Sequence, residues 1–198
     1  MTGIEWEACD DPSRMVKALH PRGVSDRKWR LFLAEFWRWQ AGNLASAGNQ
    51  ASADELFARS VDMEYWAEVG KLPKGQRPSR SRSVVFFNKD SYEAVCRTVE
   101  APIWIGGRSD ATTRQCEILR ELFGNPFRRP AMDSRWFSSD VVGVARGIYA
   151  ERAFERMPIL ADALMDAGCD DGRIIGHCLG NIAHVRGCWL LDLVLSKN

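Results

Sequence analysis

The chain has 198 residues, 27 Lys and Arg against 26 Asp and Glu, a net charge of +1, and 45% apolar residues. This is the balance of an ordinary globular domain, and it excludes a global field that would steer the molecule to nucleic acid or to a membrane surface. Eight Trp and nine Phe supply the bulk for a sizeable core. One helical domain over residues 1–198 is the expected organisation. The opening MTGIEWEACDD is acidic and has no apolar h-region, and no apolar run is long enough to span a bilayer. These features point to the cytoplasm, with no membrane partner. The six cysteines then read as thiols.

In chain order, residues 3–9 suggest a short helical turn. Asp11-Pro12 is a helix start, with Asp11 as N-cap and Pro12 at the first helical position, and the helix should end near His20. Ser25 caps the clearest helix, in which Trp29, Phe32, Leu33, Phe36 and Trp37 form one apolar stripe. Leu31 and Trp39 widen it, while Lys28, Arg30, Glu35 and Arg38 take the other side. Gly42 to Gly48 reads as a loop. Ser52 and Glu55 form a capping-box pattern opening a helix to about Val69, where Gly70 suits its end. Residues 71–82, KLPKGQRPSRSR, carry five basic residues and two prolines without an acid, and read as a linker or exposed basic loop. SVVFF at 83–87 fits a short strand, an irregular segment or the start of a buried helix.

Asn88 is a candidate cap for a helix through about Val99. Ser109 or Asp110 should start another to Phe123, ended by Gly124-Asn125-Pro126. FRRPAMDSRWF reads as an ordered loop. Ser139 or Asp140 opens a helix with Val141, Val144, Ala145, Ile148 and Tyr149 inward. Pro158 lies in the first turn of the next, and Gly168 is placed as its C′ residue. Asp170 caps a short helix to about Leu179, Asp171 is a first-turn acid, and a last helix is expected from about Val185 to Leu195. The result is an all-α array of antiparallel helices.

Five segments carry a family resemblance: EWEACDDPSRMVKAL, SDRKWRLFLAEFWR, LRELFGNPFRRPAMDSRWF, IYAERAFERMPILADAL and GCDDGRIIGHCLGNIAHVRGCWLLDLVL. In these the chain resembles a paralogous family of uncharacterised planctomycete proteins. The resemblance implies no activity and no catalytic residue. It favours a helical middle, although this chain has a basic linker where relatives are Ala-rich. It also has Glu35, Phe36 and Trp37 where relatives often carry cysteines after the RLF segment.

Two constellations could carry chemistry. Cys169, His177, Cys178, His184 and Cys188 form a Cys/His cluster of the ligand types zinc prefers. His184 and Cys188 stand i, i+4 on the expected last helix, with His177 or Cys178 and then Cys169 as further ligands. The spacing matches no standard finger, and the competing reading makes the cysteines small core residues. Cys178 near His184 is the corresponding nucleophile pair, but no third orienting group is evident. The basic set comprises Lys71, Lys74, Arg77, Arg80 and Arg82 in the loop, with Arg128, Arg129 and Arg135 beside Phe127 and Trp136. Its basic side chains suit phosphates, and its aromatics suit stacked bases. Asp192, inside WLLDLVL, needs a buried partner, for which an Arg is expected.

The chain contains no phosphate-binding loop, dinucleotide fingerprint or zinc-protease motif. The reading that follows is a non-catalytic helical module for an unidentified protein partner, with no cofactor. A zinc-stabilised domain and a nucleic-acid accessory protein are the alternatives. Trp39, Trp66 and Trp136 are the candidate exposed aromatics, because each lies off a clean stripe or in a loop.

Overall fold

Helical spacing of apolar residues, punctuated by capping side chains, accounts for most of the architecture. The computed structural model describes residues 1–72, 74–75, 90–101 and 107–197. Among these there are ten α-helices and no strand, so the fold is all-α: α1 (Gly3–Glu7), α2 (Pro12–Leu19), α3 (Asp26–Ser46), α4 (Gln50–Val69), α5 (Ser91–Glu100), α6 (Arg108–Phe123), α7 (Ser139–Glu151), α8 (Met157–Asp166), α9 (Gly172–Leu179) and α10 (Trp189–Val194). No helix among them is long and apolar enough to cross a membrane. Asn88 and the SVVFF segment at 83–87 lie outside the described residues. The chain divides into two compact units, Met1–Arg120 and Glu121–Asn198.

The first unit is organised around the α3–α4 hairpin, with α5 packed on both α2 and α3. Trp29, Phe32, Leu33 and Phe36 are all buried, as the stripe predicts, whereas Trp37, its fifth member, is half-buried; Leu31 and Ala34 are buried on its flank. The polar side of α3 departs from the simple amphipathic picture, because it faces neighbouring helices. Arg27 pairs with Glu68 at 2.9 Å, Arg38 with Glu64 at 2.9 Å, and Glu35 with both Arg38 and Arg114. Arg30 is buried, bonded to Asp26 and stacked over the Trp66 ring at 4.1 Å. Charges can be placed there because each meets an opposite charge, which limits the cost of removing them from water. Pairing of early α3 with late α4 residues also fixes the two helices as antiparallel.

Two boundaries in this unit differ from expectation. α3 runs through Gly42 to Ser46, whose Oγ donates to the Gly42 carbonyl, so Gly42 to Ser46 is helix and only the short turn after it is a loop. α4 starts at Gln50 under an Asn49 cap, whose side chain accepts the Ser52 amide, so Ser52 is already inside the helix. Gly70 ends it at φ 73, a left-handed conformation that favours glycine.

The second unit packs α7 against α8, α8 against α9, and α10 against α7. Its core includes Val141, Ala145, Ile148, Leu160, Leu164, Ile174, Leu190 and Leu191. Asp192 is buried on the apolar α10, as its surroundings predict. α8 closes with a Schellman motif. Gly168, at φ 86, donates to the Met165 carbonyl and the Cys169 amide donates to Leu164. The caps of α7 and α9 are Ser138 and Asp171, each one residue from its expected place.

Candidate metal centre

The second unit gathers Glu121, His177, His184 and Cys188 so that one ligand atom from each lies within 4.8 Å of all the others. Each arrives by a different local device. Glu121 projects from the last turn of α6, between the fully buried Leu119 and Leu122. His177 stands near the end of α9, which Asp171 starts by accepting the Arg173 amide. His184 and Cys188 come from the segment linking α9 to α10. α10 begins only at Trp189, so these two residues do not share a helix. The expected start at Val185 fails because Gly187 takes a left-handed φ of 88, which interrupts helical backbone immediately before the Cys188 cap. The bend does the work assigned to an i, i+4 pair.

The contacts within the group are short. His177 Nε2 lies 3.1 Å from Cys188 Sγ, His184 Nδ1 lies 3.0 Å from a Glu121 oxygen, and His177 Nε2 lies 3.8 Å from the other. The side chains of Glu121, His177 and His184 are 4%, 9% and 6% exposed, and Cys188 is 0% exposed, so the set is closed to bulk water. Around a zinc ion, tetrahedral ligands sit about 3.3–3.8 Å from one another; these three contacts lie near that range, and the whole group fits within 4.8 Å. One Glu121 oxygen and His184 Nε2 have no hydrogen-bond partner.

Burial controls the electrostatics. It holds the His177 imidazole down at a pKa of about 4, opposed by the Glu121 carboxylate. Burial first, and then Glu121, pushes the Cys188 thiol well above its usual value, against the pull of the Leu190 and Leu191 amides. Trp189 completes the surroundings. Its indole Nε1 donates to His177 Nδ1 at 3.3 Å, and its ring packs against Gly124. An indole N–H is only a donor, so a neutral His177 carries its proton on Nε2, where it donates towards Cys188.

Of the five cluster residues expected from sequence, the structure brings three together and leaves Cys169 and Cys178 outside the group. Cys169 is the residue after Gly168 in the Schellman motif, with its backbone tied to Leu164 and its side chain buried. Cys178 adjoins His177 on α9, and neighbouring residues point about 100° apart on a helix. With His177 turned to the group, Cys178 enters the apolar core, where burial raises its thiol to about 12. The buried, protonated state of Cys178 also removes the basis for a Cys178–His184 nucleophile pair. Sequence reasoning missed Glu121. Its only signal was an acid set in the apolar run LRELF.

The basic set falls in both units. Lys71 and Lys74 are exposed in the first unit and Arg128 and Arg129 in the second, while Arg77, Arg80 and Arg82 lie outside the described residues. Arg135 is committed to Asp133. Trp136 is half-buried and its indole donates to the Gly168 carbonyl at 3.1 Å, so it is not an exposed stacking platform. Trp39 and Trp66 are likewise half-buried, Trp39 against Phe36 and Trp66 under Arg30. No protein-family model matches this chain, and neither a curated protein nor a solved structure shows significant similarity to it.

Proposed function

We propose that the second unit is a metal-stabilised helical module in which Glu121, His177, His184 and Cys188 hold one zinc ion. The observation that carries this reading is the convergence of four ligand-type side chains, all nearly buried, within 4.8 Å of one another. The donor chemistry agrees with it. A thiolate and a carboxylate contribute two negative charges, and two neutral imidazoles contribute none, so a dication leaves the buried site neutral. Four protein ligands in a closed pocket leave no position for substrate, which favours a structural ion over a catalytic one. The role of the unit is then non-catalytic, and the ion contributes directly to folded stability.

Loading requires the Cys188 thiol to give up its proton, so affinity falls as pH falls. It also requires the His177 proton to sit on Nδ1, which then no longer accepts from Trp189. The test is elemental analysis of natively purified protein, together with zinc titration of chelator-treated protein followed by indole fluorescence. About one zinc per chain, lost in both Cys188→Ser and Glu121→Gln, is expected, with a saturable change in emission that Trp189→Phe removes. Folded protein without metal, whose emission does not respond to zinc, overturns the reading.

A further inference from the structure

Among the described residues, the outer face of α4 carries a half-exposed apolar stripe, with only the Arg38 guanidinium lying over the Phe57 ring, at 5.9 Å. Phe57, Val61, Tyr65 and Val69 recur every fourth residue and are 50%, 46%, 47% and 49% exposed. Side chains four apart stand above one another on a helix, so these form one slowly winding ridge. The small, exposed Ala51 and Ala58 lie on the same side and leave room for a second backbone to approach. Four such residues in sequence are more than the scattered apolar exposure of an ordinary surface. The inner face of the helix is already used, since Ala53, Ser60, Met63 and Ala67 are buried.

The charges at the two ends of the ridge identify the occupant. Asp54 and Glu55 are exposed at its N-terminal end, and Lys71 and Lys74 are exposed just past its C-terminal end. Asp54 accepts from Gln50 at 2.7 Å, and Glu55 pairs with Arg59. A surface that is acidic at one end and basic at the other complements a second copy of itself only when the copies run antiparallel. In that arrangement Phe57 meets Val69 of the second copy, Val61 meets its Tyr65, and each acidic end meets a basic end. A parallel arrangement sets like charges against each other, which is unfavourable. This is the self-complementary pattern of a two-fold interface, in which one patch serves both partners.

We infer that the chain forms an antiparallel homodimer through the Phe57–Val61–Tyr65–Val69 ridge of α4, with register set by Asp54 and Glu55 against Lys71 and Lys74. The contact lies wholly within the first unit and is independent of the metal reading. Its test is a label-free sedimentation-velocity series on the full chain over a range of concentration and salt, with circular dichroism as the check on folding. The wild-type chain is expected to sediment as a dimer as concentration rises, less so at high salt. Val61→Glu, at an exposed position, should remain a folded monomer throughout. Asp54→Lys with Glu55→Lys should weaken the dimer at least tenfold, as should Lys71→Glu with Lys74→Glu. Combining all four reversals should restore it. A wild-type chain that stays monomeric at every concentration overturns the inference, whether the ridge is bare or covered by another part of the same chain. A dimer unaffected by Val61→Glu, or one the combined reversals do not restore, also overturns it.

Discussion

At the scale of single residues, the second unit depends on a few positions with no slack. Gly124 is one. It holds φ +60, and a Cβ there would lie 3.1 Å from carbons of the Trp189 ring. Gly124→Ala therefore combines left-handed backbone strain with crowding of an indole that touches His177. A loss of about 2–3 kcal/mol is expected in chemical denaturation. Gly143, with nothing near its Cβ direction, offers the control: Gly143→Ala should not destabilise.

His177 supplies a second residue-scale prediction. Burial depresses its pKa from 6.5 to about 4, so the unfolded chain takes up a proton first as pH falls. The stabilisation from keeping it neutral is complete above about pH 6.5 and is lost progressively down to about pH 4, a change of about 3 kcal/mol. Denaturation of chelator-treated protein across that window should follow this slope, and His177→Gln should flatten it. Legibility at this scale was uneven. His177, His184 and Cys188 could be picked from sequence because their residue types are rare and suited to metals. Glu121 could not, because one carboxylate on an amphipathic helix resembles every other until tertiary packing buries it.

At the scale of elements, apolar periodicity and capping side chains placed the long helices well, and their failures share a cause. Gly42 does not stop α3, because the backbone of that turn is helical and a glycine inside a helix costs only about 1 kcal/mol. The Ser52–Glu55 pattern satisfied the capping rule, yet Asn49 is the residue whose side chain accepts an orphan amide. Asn49→Ala should accordingly cost about 1 kcal/mol in thermal unfolding, and Ser52→Ala close to nothing. Opposite ranks would restore Ser52 as the cap. The last helix illustrates the converse. An apolar run after Val185 suggests continuous helix, whereas Gly187 at φ 88 delays it to Trp189 and so frees His184 and Cys188 to converge from a bend. A pattern of side chains carries little information about the sign of one φ.

At the scale of the molecule, the helical class follows from composition and periodicity, while the division into Met1–Arg120 and Glu121–Asn198 has no marker in the sequence. α6 is one uninterrupted helix to Phe123, and the Pro- and Arg-rich stretch at 71–82 draws attention to a different place. If zinc stabilises the second unit alone, hydrogen exchange should register it there. Chelation should accelerate exchange through α7 to α10 and leave the paired α3 and α4 unchanged. Equal acceleration in both units would mean that the ion's influence is not local.

The distance between ligands along the chain bears on folding order. Glu121 and His184 are 63 residues apart, whereas His177 and Cys188 are separated by 11. A complete chelate therefore needs a long loop to be closed, and that entropy must be met before coordination returns anything. If the proposed zinc is held there, the helices have to assemble first and the ion binds late. Interactions absent from the folding transition state slow unfolding without hastening folding. Zinc would then act as a latch that sets how long the assembled unit lasts, while the rate of its formation is left to the apolar core.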